Sequence, residues 1–215
     1  LKTKKFEKNL GKMLSGMLNN MESRGPDSAG FAIYKNEGNK IYKFSLCINN
    51  LNFNIFKKEL SKKIKKIKLN QISDHVILKT EEKPKKILEI LNLNFPEVSI
   101  VGYGKSIEIF KQVGNPKDVV KKFKLADFTG THGIGHTRMA TESAITTDGS
   151  HPYSTGEDEC LVHNGSLSNH NNLRRELTKK GNVFNSENDT EVAAGYISHS
   201  LSNKKSLKDT LTSGL

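Results

Sequence analysis

Four groups in the second half of this 215-residue chain could act together on one small molecule. Arg138 carries a planar guanidinium that can grip a carboxylate through two parallel hydrogen bonds, and Asp189 can hold an ammonium. The side-chain amide of Asn164 and the main-chain N–H of Gly165 can both donate to one developing oxyanion. Together they suit an α-amino acid whose side-chain carbonyl is attacked. Each also has a plainer use: Arg138 in a surface pair, Asp189 as the cap of a helix through Val192 and Tyr196, Asn164-Gly165 as a turn. Five of the seven histidines lie in the same stretch, residues 131–191. His132 and His136, four apart, could ligate a metal with His151 or His163 as a third ligand. Gly133 and Gly135 argue against a helix there, however, and no local carboxylate completes the usual signature. No metal is expected, and no Gly-x-Ser-x-Gly nucleophile elbow occurs.

The elements around these groups follow from the apolar pattern. Residues 159–163 read as a buried strand that stops at Asn164-Gly165, where a turn with exposed N–H groups is expected. A helix should follow, with Ser168 as N-cap, Leu173 and Leu177 on one face, and Gly181 as the stop after Lys179 and Lys180. Near the start, Phe6, Leu10, Met13, Leu14, Met17, Leu18 and Met21 follow the spacing of a helix with one apolar face, with the methionines as core filler. Residues 24–30, RGPDSAG, end that helix, because Pro26 forbids its continuation and favours an extended Gly25. This stretch is either a simple helix-to-strand turn or one that aims Arg24 at a site. Phe56, Leu60, Ile64 and Ile67 give a further helix one apolar stripe. Residues 74–80 read as a strand, 83–91 as a helix, and 98–101 with 107–110 as a hairpin around Gly102-Tyr103-Gly104. Strands and helices mix in one domain, which makes the fold class α+β.

Composition removes several classes of function. The net charge of +11 would suggest nucleic acid if it covered the site. Residues 131–200 instead hold five basic against nine acidic side chains, a net of −4. Residues 51–70 hold seven lysines against one glutamate. That basic amphipathic helix could lie on an anionic membrane or a nucleic acid, yet a packed helix with a solvated lysine face has the same sequence. Neither nucleic acid nor membrane is therefore expected as a partner. No run of eighteen apolar residues exists, and no signal peptide is visible. The two cysteines, Cys47 and Cys160, form no disulfide framework; they fit a reducing cytoplasm and read as buried thiols. Gly104-Lys105-Ser106 resembles the end of a phosphate-binding loop, but Ser99 stands where its first glycine belongs. Gly133-Ile134-Gly135 lacks the third glycine of a dinucleotide fingerprint.

Arg24-Gly25-Pro26-Asp27-Ser28-Ala29-Gly30, Gly135-His136-Thr137-Arg138-Met139-Ala140-Thr141, His151-Pro152, His163-Asn164-Gly165 and Asn188-Asp189-Thr190-Glu191 occur in the order seen in class II glutamine amidotransferases. The chain resembles that family, and within it the stand-alone subunits related to the glutamine domain of glutamate synthase and N-methylglutamate synthase. The match is dense over 131–191, clear at 24–30 and thin between 49 and 100. The resemblance implies an N-terminal-nucleophile hydrolase fold, a four-layer αββα sandwich. It also implies a reaction: an N-terminal cysteine thiol attacks the glutamine side-chain amide, ammonia leaves, and water frees glutamate from the thioester. The cysteine's own α-amino group, with a reference pKa of about 7.7 to 8.0, can take the thiol proton near neutral pH. By resemblance Arg138 holds the glutamine carboxylate, Asp189 its ammonium, and Asn164 with Gly165 the oxyanion, while Thr141 and Arg24 line the pocket. No cofactor is implied, and the partner is an ammonia-accepting synthase.

Family members begin Cys-Gly-Ile or close to it, whereas this chain begins Leu1-Lys2-Thr3. Cys47 and Cys160 cannot replace that cysteine, because neither carries a free α-amine. The expectation is one amidotransferase domain over residues 1–215, lacking the first strand with the nucleophile and the C-terminal strands, and inactive as it stands. Two other readings stay open: a glutamine-binding or scaffold module without catalysis, and a basic interaction protein acting through residues 55–69.

Overall fold

Leu10, Leu14 and Leu18 recur every four residues, so a helix over them buries a leucine row, as α1 (Leu10–Asn20) does in the computed structural model. The structure describes residues 3–36, 38, 40–49, 51–140 and 144–213. After α1 come β1 (Ser28–Tyr34), β2 (Tyr42–Cys47), α2 (Phe53–Lys63), β3 (Lys68–Ile72), β4 (His75–Thr80), α3 (Pro84–Asn94), β5 (Ser99–Gly104), β6 (Ile107–Val113) and α4 (Pro116–Lys122). The second half holds β7 (His132–Arg138), β8 (Tyr153–Gly156), β9 (Glu159–Leu161), α5 (His170–Lys179), α6 (Asp189–Ser202) and α7 (Leu207–Ser213). The class is α+β, as the sequence predicts.

The strands form an antiparallel sheet in the order β6-β1-β7, a second antiparallel sheet in the order β3-β4-β2-β5, and the pair β8-β9. One core lies between the first sheet and the helices α1 and α4, built on Leu14, Leu18, Phe31, Phe110, Val119 and Phe123. A second lies between the other sheet and the helices α2 and α3, where Phe56, Leu60 and Ile64 are buried with Phe44, Leu78 and Leu91. The lysines of α2 cover the opposite, exposed side, which is the packed-helix arrangement.

Alternation along β1 divides its side chains between two faces. Ala29, Phe31 and Ile33 join the α1 core, while Ala32 and Tyr34 pack with Ile107, Ile109, Cys47 and Val101 to join the two sheets. On the latter face Ser28 registers with Arg138, and Gly30 with both His136 and Lys111. This face is thus apolar at one end and polar at the other, and the polar end carries the candidate chemistry.

Three expectations are corrected. Met13, Met17 and Met21 are 46%, 64% and 48% exposed and are not core filler. The apolar arc of α1 is wider than the sheet beneath it, because that sheet ends at β7 and the methionine row overhangs the edge. Second, β5 and β6 are no hairpin: β5 pairs with β2 and β6 with β1. The main-chain N–H groups of Lys105, Ser106 and Ile107 all donate to the carboxylate of Asp158, at 3.0, 2.7 and 3.0 Å. That side chain satisfies the turn and lets the chain cross from one sheet to the other. The amides of Lys105, Ser106 and Ile107 do cradle an anion, and it is the protein's own. Third, α5 starts at His170 rather than behind Ser168, with Asn169 at its N-cap.

Candidate active site

A cavity of about 1230 Å³ opens between α1, β7, the 163–166 turn and the start of α6. Its walls differ sharply. Leu10, Met13, Leu14, Met17, Leu18 and Met21 supply an apolar wall from α1. The other side is polar, with Arg24, Arg138, His136, His151, His163, Asn164, Gly165 and Asp189. The fold therefore brings five of the six site residues singled out in the sequence into one cavity. Thr141 lies outside the described residues.

Arg138 is the last residue of β7 and is buried. One of its guanidinium nitrogens donates to the carbonyl of Ala144 at 3.3 Å. Its position is held by the 24–30 turn. The Asp27 carboxylate accepts from Ala140 N–H at 2.7 Å, and Asp27 N–H donates to the Arg138 carbonyl at 3.1 Å. A Cβ on Gly25 would sit 2.6 Å from the Arg138 nitrogen, so glycine is what lets this turn press against the β7 backbone. The turn thus does more than aim Arg24, whose side chain is exposed at the rim: it braces Arg138. Asp27 was not singled out as a functional residue in the sequence, where it read only as a turn residue.

Asn164 and Gly165 are exposed on the turn beyond β9. A Cβ on Gly165 would meet His163 Nε2 at 2.7 Å, so the imidazole packs against the glycine and would have to shift for any larger residue. Asp189 opens α6, where the helix dipole favours a carboxylate. Its Oδ2 accepts from Leu167 N–H at 2.6 Å, which ties the 164–167 turn to α6. The cap itself is Asn188, whose Oδ1 accepts from Thr190 N–H at 2.9 Å, so the plainer use of Asp189 as the cap falls to its neighbour. Asp189 is left beside the cavity because its neighbour does the capping.

His136 and His151 stack with ring centroids 4.0 Å apart. His136 Nδ1 and both ring nitrogens of His151 are buried with no hydrogen-bond partner among the described residues. Burial pushes the His151 imidazole down to about 2, and proximity to His136 and to the cations Lys111 and Arg138 acts the same way. Burial also lowers His136 and His75. His132, by contrast, stacks on Tyr34; four residues along a strand span about 13 Å, so His132 and His136 cannot share an ion. Among the described residues, the group that could surround a metal is Cys47, Asp74 and His75, with atoms within 4.8 Å of one another. Asp74 there already accepts from His75 and Lys122, each at 3.0 Å, and the Cys47 thiol donates to Asn49.

The histidine shifts predict acid sensitivity with a definite sign. An unfolded histidine binds its proton near pH 6.5, whereas folded His151 refuses one until about 2. Below pH 6.5 the unfolded chain therefore holds more protons, and stability falls as pH falls. Urea unfolding between pH 7.5 and 5 should show this decline, and His151→Asn should flatten its slope by about one proton. An unchanged slope in that variant would assign the decline to other groups.

Fold and site together define an α+β protein whose antiparallel sheet ends in a cleft furnished with a buried arginine, a helix-initiating carboxylate and an Asn-Gly turn. Residues 126–200 match the glutamine amidotransferase domain family. The glutamine amidotransferase-like protein GlxB of Rhizobium meliloti (strain 1021) is 46% identical over 218 residues, covering 100% of this chain and 72% of that protein. Glutamine–fructose-6-phosphate aminotransferase (isomerizing) of Methanococcus maripaludis is 39% identical over 105 residues, 48% of this chain and 18% of that enzyme. The chain belongs to the class II glutamine amidotransferase family. No helix among the described residues is long and apolar enough to cross a membrane.

Proposed function

We propose that the cavity binds L-glutamine and that the protein hydrolyses its side-chain amide, delivering ammonia to a synthase partner. The observation that carries this is the convergence of Arg138, Asp189 and the Asn164-Gly165 turn on one cavity. In the proposed reaction a cysteine thiol at a free amino terminus passes its proton to its own α-amine, and the sulfur adds to the amide carbonyl. The negative oxygen is held by Asn164 and Gly165. Collapse breaks the C–N bond, ammonia leaves with the proton, and water cleaves the thioester to glutamate. The chemistry uses protein groups alone.

The fold reading is a four-layer nucleophile-hydrolase sandwich, supported by the succession of α1 and α4, two sheets, then α2 and α3. The cavity is larger than the roughly 300 to 1,000 Å³ typical of small-ligand pockets. Its surplus lies under the exposed methionines, beside β7 at the sheet edge. An apolar wall beside a sheet edge suits an extended strand, and the cysteine-bearing strand is the occupant proposed.

Neither cysteine of the 215 residues supplies that group: Cys47 is buried in β2, and Cys160 lies within β9 beside the Tyr34 hydroxyl. The 215-residue polypeptide by itself should therefore release no ammonia from glutamine. Steady release by the purified polypeptide, absent from a buffer control, would refute the N-terminal cysteine mechanism. Absence of L-glutamine binding by the full-length protein in calorimetry would refute the pocket itself.

A further inference from the structure

The segment over residues 144–150 is held at one end by Arg138 itself and farther along by two side chains that are not assigned to the substrate charges. At its start, Ala144 accepts from Arg138 at 3.3 Å. Farther along, Asp148 and Ser150 carbonyls accept from the Lys111 ammonium at 3.0 and 2.9 Å. Between these two, the Gly149 carbonyl accepts from Asn188 Nδ2 at 3.4 Å. Asn188 directly precedes Asp189 and caps the helix that carries it. One short segment thus links the arginine to the residue that precedes the aspartate.

Lys111 is an unexpected anchor. It lies on β6, across β1 from β7, outside the main cavity. It is buried, and among the described residues it forms no direct ion pair; the carboxylates of Asp148 and Glu191 favour its charge only from a distance. An interior cation without a direct ion pair is costly, and burial lowers this one to about 8 against the opposing pull of Asp148 and Glu191. What the ammonium gains is two carbonyl acceptors and the face of Tyr153, 4.5 Å from the ring centroid. The approach depends on Gly30, the last residue of the RGPDSAG turn. A Cβ there would stand 2.6 Å from Lys111 Cβ and 2.1 Å from the His151 carbonyl.

We propose that Lys111 and Asn188 are positioning residues, which set the separation of Arg138 and Asp189 by clamping residues 144–150 between them. This rests on the reading that Arg138 and Asp189 hold the two charges of an α-amino acid. Lys111 lies outside the cavity and acts through the segment; Asn188 lines it, but its side-chain amide is engaged by the Gly149 carbonyl and the Thr190 N–H. Without the clamp, Arg138 keeps its charge but loses its register with Asp189, and a ligand that must satisfy both pays for the mismatch.

The test is L-glutamine Kd by calorimetry, with kcat, on the full-length protein and its variants Lys111→Met, Asn188→Ser and Arg138→Ala. Serine at 188 keeps a capping oxygen but cannot reach Gly149. Lys111→Met and Asn188→Ser should each raise Kd about tenfold, a change of one decade, with kcat at saturation within threefold. In an Arg138→Ala background, where the register no longer matters, Lys111→Met should raise Kd less than twofold. A merely structural lysine would lower Tm equally in both backgrounds and show no such non-additivity, and that result overturns the proposal. If Lys111→Met fails to fold, Asn188→Ser decides alone: an unchanged Kd overturns the clamp. If Arg138→Ala itself leaves Kd unchanged, the amino-acid pocket is wrong; if it raises Kd while the other two variants do not, only the clamp is wrong.

Discussion

Replacing Asn164 by alanine in the full-length protein should lower kcat for glutamine hydrolysis by about a hundredfold to a thousandfold while glutamine affinity barely changes. The asymmetry follows from when the amide is needed. The ground-state carbonyl carries little charge, and the donor gains most once that oxygen has become an oxyanion, where one such donor contributes roughly 2.7 to 4 kcal/mol. The exposed Asn164 side chain has no other structural task among the hydrogen bonds of the described residues. Folding should therefore be little affected, and thermal unfolding checks this. Asn164→Gly separates the oxyanion role from turn geometry, because glycine accepts the same backbone conformations. Near wild-type turnover in both variants would remove Asn164 from the chemistry.

Arg138→Ala should raise the glutamine Kd by about 10- to 150-fold, the range that corresponds to losing a charge-assisted contact of roughly 1.5 to 3 kcal/mol. Arg138→Lys should recover only part of it, since an ammonium cannot make the paired contact of a guanidinium. Asp189→Ala should act on the ammonium end with a similar effect. These variants carry a structural cost that Asn164→Ala does not. Arg138 is buried and holds Ala144, and Asp189 holds Leu167 N–H. Affinity must therefore be read beside Tm, and L-glutamate, which shares both α-groups, should lose affinity in parallel. An unchanged Kd for both ligands in a folded variant excludes that residue from the pocket.

The candidate site was legible because its residues are chemically distinctive and close in sequence. A lone arginine after His-Thr, an Asn-Gly pair ending an apolar run and an aspartate opening a helix each announce themselves by type and spacing. Lys111 did not, since one lysine among 34 basic residues carries no mark that it is buried. Asp158 was equally silent: its neighbours in sequence say nothing of three amides more than fifty residues away. The methionines of α1 showed their helical spacing, and the error was in what lies opposite them. Periodicity reports that a face is apolar; whether a partner covers it depends on where the sheet ends.

By itself the sequence determined what is local: the leucine row of α1, the lysine-faced α2, the turn chemistry of residues 24–30 and the residue types of the site. These depend on backbone periods of 2 and 3.6 and on the conformational limits of glycine and proline, which neighbouring residues settle among themselves. Only the tertiary structure decided that β5 and β6 belong to different sheets and that Arg138 and Asp189 share a cavity. It alone also decided that one segment, held by a buried lysine, runs between that pair. Such outcomes depend on long-range satisfaction of buried polar groups, where the partner of an amide or ammonium is fixed by which distant chain arrives beside it.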